Sequence, residues 1–115
     1  MSPKCYNQIM NEEFEIEYYE TNTGTHPYID WENGLTIELR AQVQKRLNRI
    51  RLGNFGDIRH IEGSLFELRI HSGAGYRIYY AKKGNKIVIL LCAGSKRSQD
   101  RDIAKAKKYW QDLGG

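Results

Sequence analysis

Leu65–Ser98 reads LFELRIHSGAGYRIYYAKKGNKIVILLCAGSKRS, and it decides the fold because apolar and polar residues alternate along it with the period of two of an extended chain. Phe66, Leu68 and Ile70 fall on one face of a first strand, and Glu67, Arg69 and His71 on the other. In the next run Tyr76, Ile78 and Tyr80 alternate with Arg77, Tyr79 and Ala81, while Gly73 and Gly75 supply the hairpin turn. A connection that leaves an odd number of residues unpaired brings Arg69 opposite Arg77 or Tyr79 on a shared face. Two arginines facing each other across a ladder repel unless an acid or a bound anion lies between them. Glu67 is the intramolecular candidate, and a phosphate is the functional one.

Downstream, Ile87–Ala93 is continuously apolar, which predicts the central strand of the sheet, covered on both faces. Gly94 ends it, the Lys96–Arg97 pair occupies the exit loop, and Ser98 is placed to cap a helix whose first turn holds Asp100 and Asp102. Ile103, Ala106, Trp110 and Leu113 then form a packed stripe, with Trp110 read as core.

Upstream, Ile58–Glu62 follows the turn NFGD as a short strand carrying Arg59 and His60. From Leu35 or Thr36 to Leu52 the spacing of Leu39, Val43, Leu47 and Ile50 predicts a helix that Gly53 stops. Its other face carries Arg40, Lys45, Arg46, Arg49 and Arg51. Pro27 starts a brief first helix after the loop TNTGTHP, which holds His26. Glu13–Thr21 alternates acids with Phe14, Ile16 and Tyr18 as a strand does. The expected class is α+β in the order β-α-α-β-β-β-α. Residues 12–115 are read as a single domain and 1–11 as a flexible extension.

A chain of 115 residues supports one modest core. Cys5 and Cys92 read as free thiols of a reducing compartment. The start lacks a sustained apolar segment and Ile87–Ala93 is far too short to cross a bilayer, so the expected location is the cytoplasm, away from membranes. The net charge of +4 hides a division: residues 1–34 carry one lysine against seven acids (−6), and residues 35–115 carry 17 Lys and Arg against seven (+10). Such asymmetry predicts a basic surface that meets nucleic acid or an acidic partner. His26, His60 and His71 lack metal-ligand spacing, and GAG at 73–75 sits in a hairpin with no helix after it to make a phosphate loop. Cys92 on a buried strand is a poor nucleophile.

The runs ELRIHSGAGYRIYY and ILLCAGSKRSQDRDIAKA, with GNFGDIRHI at Gly53–Ile61 and the Tyr109–Trp110 pair, resemble the RelE/ParE superfamily of toxin–antitoxin toxins, most closely the HigB-type addiction module killer proteins. The resemblance spans Ile29 to Leu113. It implies a RelE-like curved antiparallel sheet packed with two N-terminal helices and a C-terminal helix. It also implies an mRNA endoribonuclease on translating ribosomes, working without a cofactor by attack of a ribose 2′-OH on the adjacent phosphate. A neutralising antitoxin of helix-turn-helix type is the implied partner, with operator DNA reached only through it.

Arg77, in the GYR element, matches a phosphate-stabilising arginine of the family. Arg69 matches a basic strand position at the scissile group, and Lys96 and Arg97 match the basic pair after the last strand. His71 stands where a relative has another basic residue, and its ordinary pKa of about 6.5 suits an acid or base. Glu67 is a base or the partner of Arg69, and Tyr79 positions the substrate. Lys45, Arg49, Arg59 and His60 are expected along the approach of RNA. The chain departs from the family in having no tyrosine or histidine soon after Lys96–Arg97; His71 or His60 substitutes, catalysis is weak, or the chain is not a nuclease. The rival readings are a ParE-like inhibitor of DNA gyrase and an inactive remnant that only binds its antitoxin.

Overall fold

Glu15–Tyr18 (β1), Pro27–Asn33 (α1), Ile37–Arg51 (α2), Ile58–Glu62 (β2), Leu65–Ile70 (β3), Tyr76–Lys83 (β4), Ile87–Ser95 (β5), a 3-10 turn at Lys96–Ser98 and Gln99–Asp112 (α3) follow one another in the computed structural model, which describes residues 13–115. The α+β class is as expected. Ile58–Glu62 is the short strand expected there, which the order β-α-α-β-β-β-α leaves uncounted, and the proposed 1–11 extension and Cys5 lie outside the described residues.

The five strands form one sheet in the order β1-β5-β4-β3-β2. Two expectations are corrected by this arrangement. First, β4 is central and β5 lies second from the edge; its apolar run reflects helices on both faces, not a middle position. Second, β1 pairs parallel to β5, Glu15 beside Ile87 through Tyr18 beside Leu90, so the sheet is mixed. The other pairings are antiparallel.

Alternation sorts the side chains into two cores. Leu68, Ile70, Ile78, Tyr80, Val88 and Leu90 face α1 and α2, where Tyr28, Val43, Leu47 and Ile50 are fully buried. Leu65, Tyr79, Ala81, Ile89 and Leu91 face α3, meeting Ala106 and Trp110. Burying each large aliphatic side chain contributes roughly 1.5–3 kcal/mol. Trp110 is core, its indole N–H donating to Ser64 Oγ at 2.9 Å, whereas Leu113 at the stripe's end stays 45% exposed. A bulge between Tyr79 and Tyr80 skips Leu91, letting Leu91 and Cys92 both pack toward α3.

The helix ends follow from their local chemistry. Thr36 caps α2, accepting the Leu39 N–H at 3.2 Å, and Gly53 behind it takes φ +89°. Ser98 precedes α3 but does not cap it; its hydroxyl donates to buried Asp102 at 2.5 Å. Gly94 makes this possible, since a Cβ there would lie 1.9 Å from the Asp102 carboxylate. Among the described residues no helix is long and apolar enough to cross a membrane.

Candidate functional site

The five residues between Ile70 and Tyr76 leave those two paired, so Arg69 stands directly opposite Arg77. Both side chains emerge on the face shared with α3, beyond the point where that helix begins. They line a cleft of about 390 Å³ with His71, the Ser72–Gly75 loop and Lys96. Gly73 and Gly75 take φ of +55° and +86°, which keeps the loop narrow.

Repulsion between the arginines is relieved by two separate carboxylates. Arg69 Nη2 lies 3.3 Å from Asp57 Oδ1, and Arg77 Nε lies 3.6 Å from Glu67 Oε2. The expected Glu67–Arg69 pairing is thus corrected: register sets Glu67 against Arg59 on one side and Tyr79 on the other. Glu67 is fully buried, accepting from Arg59 Nε at 3.1 Å and from Gln99 Nε2, at the start of α3, at 2.9 Å. Burial pushes its carboxyl up, but the bonds from Arg59 and Gln99, with the Tyr79 hydroxyl turned toward it, outweigh this and hold it below the ordinary glutamate value. A buried, ionised and fully engaged carboxylate is a poor general base for an incoming ribose. Its geometry fits holding Arg77.

Tyr79 lies beneath the cleft, fully buried. Its hydroxyl faces Glu67 without completing a hydrogen bond of ordinary geometry, and burial together with that carboxylate raises its pKa far above the usual phenol. It supports the floor and does not reach an incoming nucleotide.

Asp57, in the turn before β2, was missed by sequence reasoning because a turn residue carries no periodic signal. It joins two cleft residues, since its Oδ2 lies 2.5 Å from His71 Nε2 while its Oδ1 holds Arg69. The His71 bond, then Arg69 and Arg46, keep its carboxyl below the ordinary aspartate value. An ionised carboxylate only accepts, so His71 carries a proton on Nε2 and turns Nδ1 away from Asp57. The imidazole is 74% exposed, against 33% for Arg69 and 13% for Arg77. Arg46, from the cationic face of α2, donates through Nη1 to the Arg69 carbonyl at 2.6 Å and through Nη2 to that of Phe55 at 3.3 Å, tying α2 to the cleft's rim.

The Nε of Arg69 is buried without a hydrogen-bond acceptor among the described residues, and that of Arg77 has only its 3.6 Å ion-pair contact with Glu67. Such donors are costly unless an anion takes them. Lys96 completes the rim, while Arg97 points along a neighbouring groove.

The outer RNA-binding expectations separate. Lys45 lies beside His71 in a shallow groove with Gln42 and Arg46. Arg49 is exposed on α2, across the sheet from the arginine pair. Arg59 sits on the cleft's face but is committed to Glu67. His60 is on the opposite face, packed against Phe66 with its Nε2 at 2.7 Å from the Gly63 carbonyl, so it cannot substitute in this cleft. Cys92 is buried, and desolvation pushes its thiol up to about 12, as expected of an inert cysteine. Among the described residues no three His, Cys, Asp or Glu side chains gather as metal ligands.

Residues 30–111, which hold every cleft residue named above, match the family described as phage derived protein Gp49-like (DUF891). The chain belongs to the Gp49-like family. It is also 45% identical over 78 residues to an uncharacterized protein of Haemophilus influenzae, an overlap covering 68% of this chain and 79% of that one. In this Gp49-like protein the matched region takes in α2, strands β2 to β5 and nearly all of α3.

Proposed function

We propose that this Gp49-like chain is the toxin of a toxin–antitoxin module, a HigB-type member of the RelE/ParE superfamily, and that it cleaves mRNA on translating ribosomes. The observation that carries the reading is the facing pair Arg69–Arg77 lining one cleft, with Lys96 at its rim. Residues 12–115 act as one domain, in the cytoplasm, and an antitoxin of helix-turn-helix type neutralises it and carries it to operator DNA.

The chemistry follows from the cleft. A scissile phosphate seated between the guanidiniums has its non-bridging oxygens met by fixed cations, worth most as negative charge grows on the phosphorane. The ribose 2′-oxygen forms a bond to phosphorus as the bond to the 5′-oxygen breaks, giving a 2′,3′-cyclic phosphate and a 5′-hydroxyl. His71, steered by Asp57, exchanges protons through Nδ1, taking that of the 2′-OH or supplying that of the leaving 5′-oxygen. Arg69, Arg77 and Lys96 bind and orient; Glu67 and Tyr79 hold Arg77 from below. No step requires a cofactor.

One observation favours a second reading. Glu67 and Tyr79 are out of reach, leaving a single proton-transfer group at the cleft, which suits a ParE-like gyrase inhibitor that binds without cutting. Purified protein added to a translation reaction decides between them. Cut mRNA with 5′-OH ends is the expected result; inhibited supercoiling with intact mRNA would overturn the nuclease reading.

A further inference from the structure

Beyond the cleft, Arg97, Arg101, Lys105 and Lys108 recur at intervals of four, four and three residues, the spacing that keeps side chains on one side of a helix. All four are exposed, and none forms an ion pair among the described residues. Several neighbouring cations do have carboxylate partners: Arg59 and Arg77 share Glu67, Arg69 meets Asp57 and Lys107 meets Glu62. Asp100 flanks the row at the first turn of α3, and Asp112 at its far end accepts the Tyr19 hydroxyl at 2.8 Å.

This row is continuous with the cleft. Lys96 lines both the arginine pocket and a second groove of about 300 Å³ formed with Arg97, Ser98, Gln99, Asp100 and Arg101, so a path with three cations and one acid leads from Arg77 around the 3-10 turn onto α3. The helix then carries the charge a further ~10 Å from Arg101 to Lys108, at 1.5 Å per residue. A row of unpaired cations that starts at the Arg69–Arg77 cleft matches a polyanion with evenly spaced charges better than a folded protein surface, where charge is mixed.

We propose that Arg101, Lys105 and Lys108 form a phosphate track on which a single-stranded RNA backbone lies as it passes to or from the Arg69–Arg77 cleft. The proposal rests on the RNA reading of that cleft and extends it to residues that touch no reacting atom. The track adds affinity and direction, not base choice.

The test reads binding apart from cleavage, by fluorescence anisotropy of the full-length protein with a 2′-O-methyl oligoribonucleotide long enough to cover α3, across a range of salt. R101Q/K105Q/K108Q removes three charges with residues that are equally good in helices, and its thermal melt serves as the folding check. The expected result is a log Kd against log salt slope shallower by about 2, at about 0.7 per cation for single strands, with the affinity of a trinucleotide confined to the cleft unchanged. An unaltered slope in the triple variant overturns the track and leaves the cleft reading standing. Loss of trinucleotide affinity as well overturns it, because the change then acts through the cleft. Wild-type protein that binds the long oligonucleotide with the steep slope but leaves mRNA uncut supports the track and overturns the nuclease reading. Wild-type protein that binds no RNA overturns both, and a triple variant that loses only an acidic protein partner assigns the row to that partner.

Discussion

Arg69 and Arg77 face each other across one ladder yet answer to different carboxylates, Asp57 holding the first and Glu67 the second. Each acid arrives from outside the rung, so the space between the guanidiniums stays open to a third anion. The two arginines are therefore separable by mutation.

Arg77→Ala removes the less exposed cation and the one seated over Glu67. Cleavage is expected to fall by about 100- to 1,000-fold, the usual loss for one preorganised donor to a developing oxyanion. Antitoxin binding stays nearly intact. Single-turnover cleavage beside a pull-down with the antitoxin checks this; normal cutting by the variant would show that the site is misplaced.

Glu67→Gln leaves Arg59 and Arg77 without their shared carboxylate. A cost of about 2–3 kcal/mol is expected, below that of a fully enclosed pair because Arg59 is half exposed to solvent. The pH dependence has a definite sign. The folded value is depressed, so the stabilisation is complete above the ordinary glutamate value of about 4.3 and is lost as pH falls through the folded value. Urea denaturation from pH 7 down to the acid limb should show the wild-type advantage over Glu67→Gln shrinking only below that point.

Asp57→Asn keeps the shape of the group that joins Arg69 to His71 but discharges it. Because this carboxylate is partly open to water, the melting temperature should hardly move. Cleavage is expected to drop by about tenfold or more, through loss of orientation at both residues. Equal losses of stability and activity would assign Asp57 a purely structural role.

Much of this site was legible in the chain. A period of two and an odd-length connection put Arg69 opposite Arg77 or Tyr79 from the sequence alone, because alternation is a local property, and the five-residue connection of the structure selects Arg77. The same logic places His60 on the opposite face from Arg59, and the error there lay in reading the two as one approach surface. Asp57 was hidden because turn residues obey no period, and the Glu67–Arg59 bond because Ile58 and Ile61, the apolar residues of β2, fall on opposite faces by alternation and so do not fix its register. The parallel pairing of β1 was hidden for a different reason: strand alternation says which face a residue takes and nothing about which strand lies alongside.

Gly94→Ala would drive a methyl group into Asp102 and Ser98. The expected cost is about 1–3 kcal/mol, as for other overpacked positions, with the start of α3 displaced. Since Gln99 sits at that start, its bond to Glu67 should weaken, visible as a perturbed Gln99 side-chain amide in an NMR spectrum.

Cys92 should resist alkylation at pH 8 in the native state and react once the chain is unfolded, as its raised thiol value of about 12 and its burial require. Peptide-level mass spectrometry separates it from Cys5. Rapid native labelling of Cys92 would mean that α3 opens readily.

Because β1 lies parallel beside β5, the first strand of the described residues finds its neighbour only after five further elements and a long apolar run have appeared. Contacts between such distant points slow folding, and the β5 edge stays unguarded until they form. Lys96 follows β5 directly, so a nascent chain gains its complete cationic pocket and its closed sheet margin at almost the same moment.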